Sequence, residues 1–113
     1  MRLAAVNAAV GGFALWYAHH LGGEGGELVR IGAQIQFMHG MASAACATFM
    51  NIGAVRARFS PAFFLGGSLI FALSNYAAAL GYVVGAAPMA LGGAIMAIGW
   101  INLVASTSGI DRD

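Results

Sequence analysis

Charged side chains are scarce in this sequence, and lysine is absent altogether. Five arginines and four acidic residues make up 8% of the 113 residues, whereas roughly 25% of a soluble domain is charged. So few charges cannot cover a water-facing surface. The formal net charge of +1 also argues against nucleic-acid binding, which needs clustered Lys and Arg, so we expect no nucleic-acid partner.

Residues that bind metals or perform catalysis are also few. The only cysteine, Cys46, excludes an internal disulfide and any multi-thiolate metal site built from this chain alone. Glu24 and Glu27 lie in a glycine-rich segment, where solvated charges are expected rather than an acid/base pair. The same holds for Asp111 and Asp113 in the tail. The sequence therefore predicts no catalytic residue, no metal site and no cofactor, and a protein that is not an enzyme.

Apolar residues, by contrast, fill most of the chain. They make up 60% of it, the mean hydropathy is +0.81, and they form four long blocks. About 20 apolar residues cross a bilayer, so the blocks predict transmembrane spans near residues 3–21, 28–55, 61–80 and 89–106. The first block is interpreted as a retained span, because no small-residue cleavage pattern follows it.

The connections between these blocks are short. Residues 22–27 predict a flexible acidic turn, residues 56–61 contain a Ser-Pro that favours a helix start, and residues 81–88 are uncharged. Short connections leave room only for antiparallel neighbours. We therefore expect an all-α membrane protein, with one domain over residues 1–113 and four transmembrane helices in an up-down-up-down antiparallel bundle.

The arginines predict the orientation of that bundle. Arg2, Arg56, Arg58 and Arg112 fall on one side, whereas Arg30 falls on the other together with the glutamates. Cytoplasmic loops carry the excess of arginine. We expect an integral protein of the bacterial inner (cytoplasmic) membrane with both termini in the cytoplasm, and the lipid bilayer as its first partner.

Small and polar residues recur at helical spacing within the spans. In the second span they follow steps of three and four residues, through Gly32, Gln36, His39, Ser43, Cys46, Met50 and Gly53. Small residues allow helix backbones to approach in lipid. The residues predicted to pack helices together are Gly32, Ser43, Gly67, Ser74, Gly92 and Gly99.

Four polar residues fall at similar predicted depths. Gln36 and His39 in the second span match Asn75 and Tyr76 in the antiparallel third span. The simplest interpretation is an interhelical hydrogen-bond cluster. A ligand, proton or cofactor site at the same place is the alternative, because ionisable residues inside a membrane are functional candidates.

The three histidines are candidate axial ligands for haem, because histidine is a common haem ligand. His19 and His20 are predicted at the outer interface and His39 near mid-membrane, so the depths disfavour a haem held by two histidines of this chain. A haem with one ligand from this chain, His39, or a haem shared with another subunit stays open.

The order of several motifs resembles a known family. The motifs are the sequence AHHL at residues 18–21, the sequence GAQIQFMH at residues 32–39, the residues Phe71, Ser74, Tyr76 and Leu80, and the residues Pro88, Gly92, Gly93, Gly99 and Trp100. Together they resemble the domain of unknown function 423 family of YgdD-like small membrane proteins, along nearly the whole chain. The resemblance implies a four-helix fold and a membrane location but no reaction. Residues 14–17 and the spacing after Pro88 depart from the family pattern, as in a divergent member.

Three functions remain in competition at this point. The leading hypothesis is a non-catalytic protein that acts by association, as a homo-oligomer or as an accessory subunit of a larger membrane complex. The pairs Gly66–Gly67 and Gly92–Gly93 support it, because adjacent glycines face different directions. The alternatives are a transporter or channel for a small molecule, ion or lipid, using Gln36, His39 and Asn75, and a redox subunit that binds haem or quinone through His39.

Overall fold

A computed structural model of the chain describes residues 1–110. The described chain is all-α, as the sequence predicted. It contains four helices, α1 (Arg2–Leu21), α2 (Gly23–Asn51), α3 (Ser60–Ala79) and α4 (Ala86–Ser106), and two short 3-10 helices, Val55–Phe59 and Thr107–Gly109.

Each helix packs against the next helix in the chain. Helix α1 packs on α2, α2 on α3 and α3 on α4, whereas α1 makes only slight contact with α3. Helices α1 and α2 are antiparallel, since Gly11 meets Phe37 and Gly26 meets Ala18, and so are α3 and α4, since Gly67 meets Gly92 and Phe64 meets Gly99. Near the end of α4, Asn102 donates a hydrogen bond to the backbone carbonyl of Arg56. Arg2 and Arg58 together line one cleft. We call this end of the bundle the arginine end.

Helix α2 begins earlier than its sequence indicates. The prediction of a flexible turn over residues 22–27 is wrong, because α2 starts at Gly23 and Gly22 alone separates it from α1. Gly22 and Gly23 reverse the chain with φ angles of 66° and 63°, values that glycine adopts without steric cost. A Cβ atom on Gly26 would lie only 2.8 Å from the carbonyl oxygen of Ala18. This close packing on α1 explains why a glycine-rich segment is helical here.

Proline marks the start of the last two helices. Pro61 lies in the first turn of α3, so the predicted helix start at Ser-Pro agrees with the structure. Helix α4 begins at Ala86 and includes Pro88 in its first turn, so it starts three residues before the predicted Met89. Proline is tolerated there because the first-turn N–H groups have no partner within the helix.

Two helical segments, Val55–Ala79 and Ala86–Ser106, are long and apolar enough to cross a membrane by length and composition. They contain most of the predicted spans 61–80 and 89–106.

Burial in the bundle is unusual, because large apolar side chains are mostly outside. Phe13, Met38, Leu73 and Ile101, one from each helix, all expose more than half of their surface. The interior is instead built from glycine, alanine and buried polar residues. Its apolar cluster lies at the arginine end and consists of Cys46, Ala54, Ala57, Phe64 and Leu103.

Candidate functional site

The first polar contact inside the bundle is centred on Gln36 of α2. Its amide nitrogen donates to Asn7 Oδ1 of α1 at 3.0 Å, and its amide oxygen accepts a bond from the Tyr76 hydroxyl of α3 at 2.7 Å. Asn7 Nδ2 in turn donates to the Gln36 carbonyl at 3.1 Å and to Ser68 Oγ at 3.4 Å. We call Asn7, Gln36, Ser68 and Tyr76 the Gln36 network. One buried amide therefore connects three helices.

The second polar contact joins α2 to α4. Trp100 Nε1 donates to His39 Nε2 at 3.1 Å, and His39 Nδ1 lies 2.8 Å from the carbonyl oxygen of Ile35. An indole N–H can only donate, so Nε2 must be the acceptor and Nδ1 must carry the proton. These two bonds fix His39 as one neutral tautomer. The ring of Phe64 packs against both, with centroids 5.5 Å from His39 and 4.8 Å from Trp100.

The structure does not bring the four predicted polar residues into one cluster. Gln36 and Tyr76 are hydrogen bonded, but His39 bonds to Trp100, and Asn75 Nδ2 donates to the Phe71 carbonyl of its own helix at 3.0 Å. Adjacent residues on a helix point about 100° apart. Asn75 and Tyr76 therefore cannot both face Gln36, although they share its depth.

Two residues that the cluster prediction missed complete these contacts. The sequence places Asn7 on the small and polar face of the first span and Trp100 among the aromatic residues near span ends, but it assigns neither to the cluster. Asn7 is the one amide side chain within α1, which was the available signal. No pattern within α4 indicates that Trp100 reaches His39.

A third polar contact joins α3, α4 and the preceding 3-10 helix at the arginine end. Ser60 Oγ donates to the Gly99 carbonyl at 3.0 Å, and Asn102 Nδ2 donates to Ser60 Oγ at 2.8 Å and to the Arg56 carbonyl at 3.1 Å. The buried side-chain N and O atoms of the described residues all have a hydrogen-bond partner. The polar interior is thus satisfied from within.

Four of the predicted packing residues lie at helix crossings. A Cβ on Gly67 would lie 2.7 Å from the Gly92 carbonyl oxygen, and a Cβ on Gly92 would lie 2.7 Å from that of Gly67. A Cβ on Gly32 would lie 3.0 Å from the Tyr76 ring, and a Cβ on Gly99 would lie 2.9 Å from the Phe64 ring. A side chain at Gly67 or Gly92 would therefore collide with backbone, whereas one at Gly32 or Gly99 would require the neighbouring aromatic ring to shift.

The two predicted packing serines behave differently. Both Ser43 and Ser74 are buried, and each donates to a carbonyl of its own helix, that of His39 at 2.7 Å and that of Ile70 at 2.8 Å. The close approach of α1 to α2 involves Gly11, Gly26 and Gly40, and the last two were not among the residues predicted to pack helices together. A Cβ on Gly40 would lie 2.7 Å from the backbone nitrogen of Ala8.

The other titratable residues lie near the ends of the bundle. His19 and His20 are exposed in the last turn of α1, where His20 Nδ1 lies 3.0 Å from the Trp16 carbonyl oxygen. Arg30 forms an ion pair with Glu27 at this end. Arg112, which contributed to the predicted orientation, lies outside the described residues, as does the pair Asp111 and Asp113.

The described part of the chain offers few positions for a metal or cofactor. Within residues 1–110, no group of three or more His, Cys, Asp or Glu side chains is placed to hold a metal ion. His39 is the remaining candidate ligand, but its Nε2 lone pair accepts the Trp100 bond. A haem iron would have to replace that bond.

Comparison with known proteins finds no matching family model, no matching curated protein and no matching solved structure.

Proposed function

We propose that this chain is a non-catalytic integral membrane protein with four spans, which acts by association as a homo-oligomer or as an accessory subunit of a larger membrane complex. The observation that carries the proposal is the distribution of side chains. All four helices expose large apolar residues, while the interior holds glycine, alanine and bonded polar groups. Water disfavours such an apolar surface, whereas lipid accommodates it, and only satisfied backbone is stable there.

Two outward-facing glycines support association. Gly67 and Gly92 occupy the α3–α4 crossing, but a Cβ on their neighbours Gly66 or Gly93 would meet nothing within 4 Å. One glycine of each pair therefore serves the bundle, and the other leaves the backbone open to close approach, Gly93 on α4 and Gly66 in the cleft between α3 and α1. Membrane helices associate through such small residues.

The polar interior supports a structural role over transport or redox chemistry. A transporter or channel needs polar groups that can meet its cargo, and a haem or quinone subunit needs an available ligand. Gln36 and His39 use their side-chain donors and acceptors within the bundle. Asn75 donates to its own helix.

The proposal includes the family and the location. We assign the chain as a divergent member of the domain of unknown function 423 family, in the bacterial inner membrane with both termini cytoplasmic. The motif residues support this, because Gln36 with Tyr76 and His39 with Trp100 form contacts between different helices. The arginine end supports the orientation, since Arg2, Arg56 and Arg58 all lie there.

Membrane residence is tested first, by alkaline carbonate extraction of cell membranes. We expect the chain to stay in the membrane pellet and to require detergent for release. Release into the aqueous fraction would contradict membrane residence, and with it the proposed function.

Association is tested by substituting the outward-facing glycines. Gly66→Leu and Gly93→Leu are expected to reduce the size of the complex in mild detergent, measured by size exclusion with light scattering, while circular dichroism shows a folded monomer. Ala94→Leu, an exposed neighbour on α4, is the matched control. Identification of co-purifying chains distinguishes a homo-oligomer from an accessory subunit. Unchanged complex size in both glycine variants would contradict association through these faces.

A further inference from the structure

An open groove runs along α2 between α1 and α3. Both helices pack on α2 but hardly on each other. Three adjoining clefts result, with volumes of about 780 Å³ at the arginine end, 380 Å³ in the middle and 310 Å³ at the opposite end. The first two share Leu3 and Leu65, and the last two share Val10. We call the whole the α1–α3 groove.

The wide end of this groove is positively charged at its rim and apolar within. Arg2 and Arg58 both line it, next to Leu3, Pro61 and Leu65. Glu24 and Glu27, the carboxylate side chains among residues 1–110, lie instead at the opposite end of the bundle. The positive charge at the rim matches the headgroup of an anionic lipid, and the apolar walls match its acyl chains.

We propose that the wide end of the α1–α3 groove binds an anionic phospholipid, with its phosphate between Arg2 and Arg58 and an acyl chain lying along Leu65 and Leu69. The inference rests on the membrane residence proposed above. Guanidinium groups bind phosphate through paired, charge-assisted hydrogen bonds. The cytoplasmic leaflet, where the proposed topology puts the arginine end, is the leaflet that carries anionic lipid.

The wide and middle clefts have the length of one acyl chain. They follow α1 from Arg2 to Val10 for about 12 Å at 1.5 Å per residue, close to half of the roughly 30 Å hydrocarbon core. The groove is widest at the arginines, where a headgroup needs room, and narrows towards Asn7 and Gln36. Asn7 bonds there to Gln36 and also to Ser68 of α3, so its polar groups are already paired where an acyl chain would approach them.

The test measures which lipid stays bound. Protein reconstituted in vesicles of equal phosphatidylglycerol and phosphatidylcholine is extracted into mild detergent, and native mass spectrometry counts the retained lipids. We expect the wild type to retain phosphatidylglycerol preferentially. Arg2→Gln and Arg58→Gln should each lower that preference about tenfold, because each removes charge-assisted bonds to the phosphate. Arg56→Gln removes the same charge from the same end without lining the cleft, and should leave the preference unchanged.

A second variant tests the acyl-chain path without altering charge. Ala62 lines the wide cleft and is exposed, so Ala62→Trp should block lipid retention, whereas Ala97→Trp on the exposed surface of α4 should not. Equal retention of both lipids by a membrane-resident wild type would overturn the inference while leaving membrane residence intact. An Ala62→Trp variant that keeps its phosphatidylglycerol but loses a co-purifying protein would also overturn it. Failure of the protein to fractionate with membranes would instead contradict the proposed function.

Discussion

Gln36 and His39 are the residues on which the polar interior depends. Each is buried, and each is satisfied by a side chain from another helix. An unpaired buried polar group costs about 1–3 kcal/mol, whereas a hydrogen bond between membrane helices contributes on average about 0.6 kcal/mol. These contacts therefore act mainly by specifying which helix faces meet, because every wrong pairing leaves a polar group without a partner.

The His39–Trp100 contact gives a prediction at this scale. Nitrogen NMR should find His39 neutral, with the proton on Nδ1. Trp100→Phe leaves the buried His39 Nε2 without its donor and should lower the free energy of unfolding in detergent by about 1–3 kcal/mol, the cost of an unpaired buried polar group. Thermal denaturation followed by circular dichroism measures the change.

The control for this variant is Trp16→Phe. Trp16 is exposed and lies near the opposite end of the bundle, where its ring packs on His20. That change should leave the stability and the His39 nitrogen signals as they are. A proton found on Nε2 would contradict the assigned hydrogen bond.

Residue-level prediction from the sequence reached the right positions but not all of the right partners. Hydropathy and spacing indicate that Gln36, His39, Asn75 and Tyr76 are interior, because a polar residue in an apolar helix avoids lipid. They do not give the rotation of one helix relative to the next. The partners Asn7 and Trp100 follow from that rotation, and only the structure provides it.

At the scale of the elements, glycine determines how closely α3 and α4 approach. Gly67 and Gly92 face each other's carbonyl oxygens, so the helices cross with their backbones in contact. Elsewhere along the same interface, the side chain of Phe64 packs against Gly99. The interface is thus held by backbone contact rather than by large interlocking side chains.

The adjacent glycines of α3 provide a matched pair of variants. Gly67→Ala places a Cβ 2.7 Å from the Gly92 carbonyl oxygen, and should destabilise the protein by about 1–3 kcal/mol, as overpacking does. Gly66→Ala meets open space and should gain up to about 1 kcal/mol, because alanine favours the helix. Thermal denaturation in one detergent measures both. Equal effects of the two substitutions would contradict the assigned crossing.

Helix number could be predicted from the sequence more reliably than helix length. The apolar blocks give four helices, and Ser60 with Pro61 marks the start of α3. The start of α2 was missed because glycines and glutamates are typical of turns. Gly26 packs so closely on Ala18 that the segment becomes helical in spite of its composition.

At the scale of the whole molecule, the bundle is long and thin. It measures 52 by 26 by 18 Å along its principal axes, and its helices pack mainly as a sequence of neighbours. Much of every helix is consequently left at the surface. That surface is what the proposal assigns to lipid and to partner proteins.

The proposed topology is testable with single cysteines, since Cys46 is buried and is the only native one. In a Cys46→Ser background, Val83→Cys lies in the exposed connection before α4, and Ile52→Cys lies exposed at the arginine end. A membrane-impermeant maleimide should label Val83→Cys in intact spheroplasts and Ile52→Cys only after permeabilisation. The reverse pattern would invert the assigned orientation.

The link at Gly22 also bears on how the chain is made. In the proposed four-span topology, the single residue between α1 and α2 leaves no slack that would let one helix stay outside the bilayer while the other inserts. We expect them to enter together as a helical hairpin during synthesis. Glu24, Glu27 and Arg30 are the charges that this hairpin carries across, and two of them neutralise each other as an ion pair. In the proposed topology the first half of the protein thus inserts without translocating a hydrophilic domain, and it provides the α2 surface on which α3 packs, with α4 packing in turn on α3.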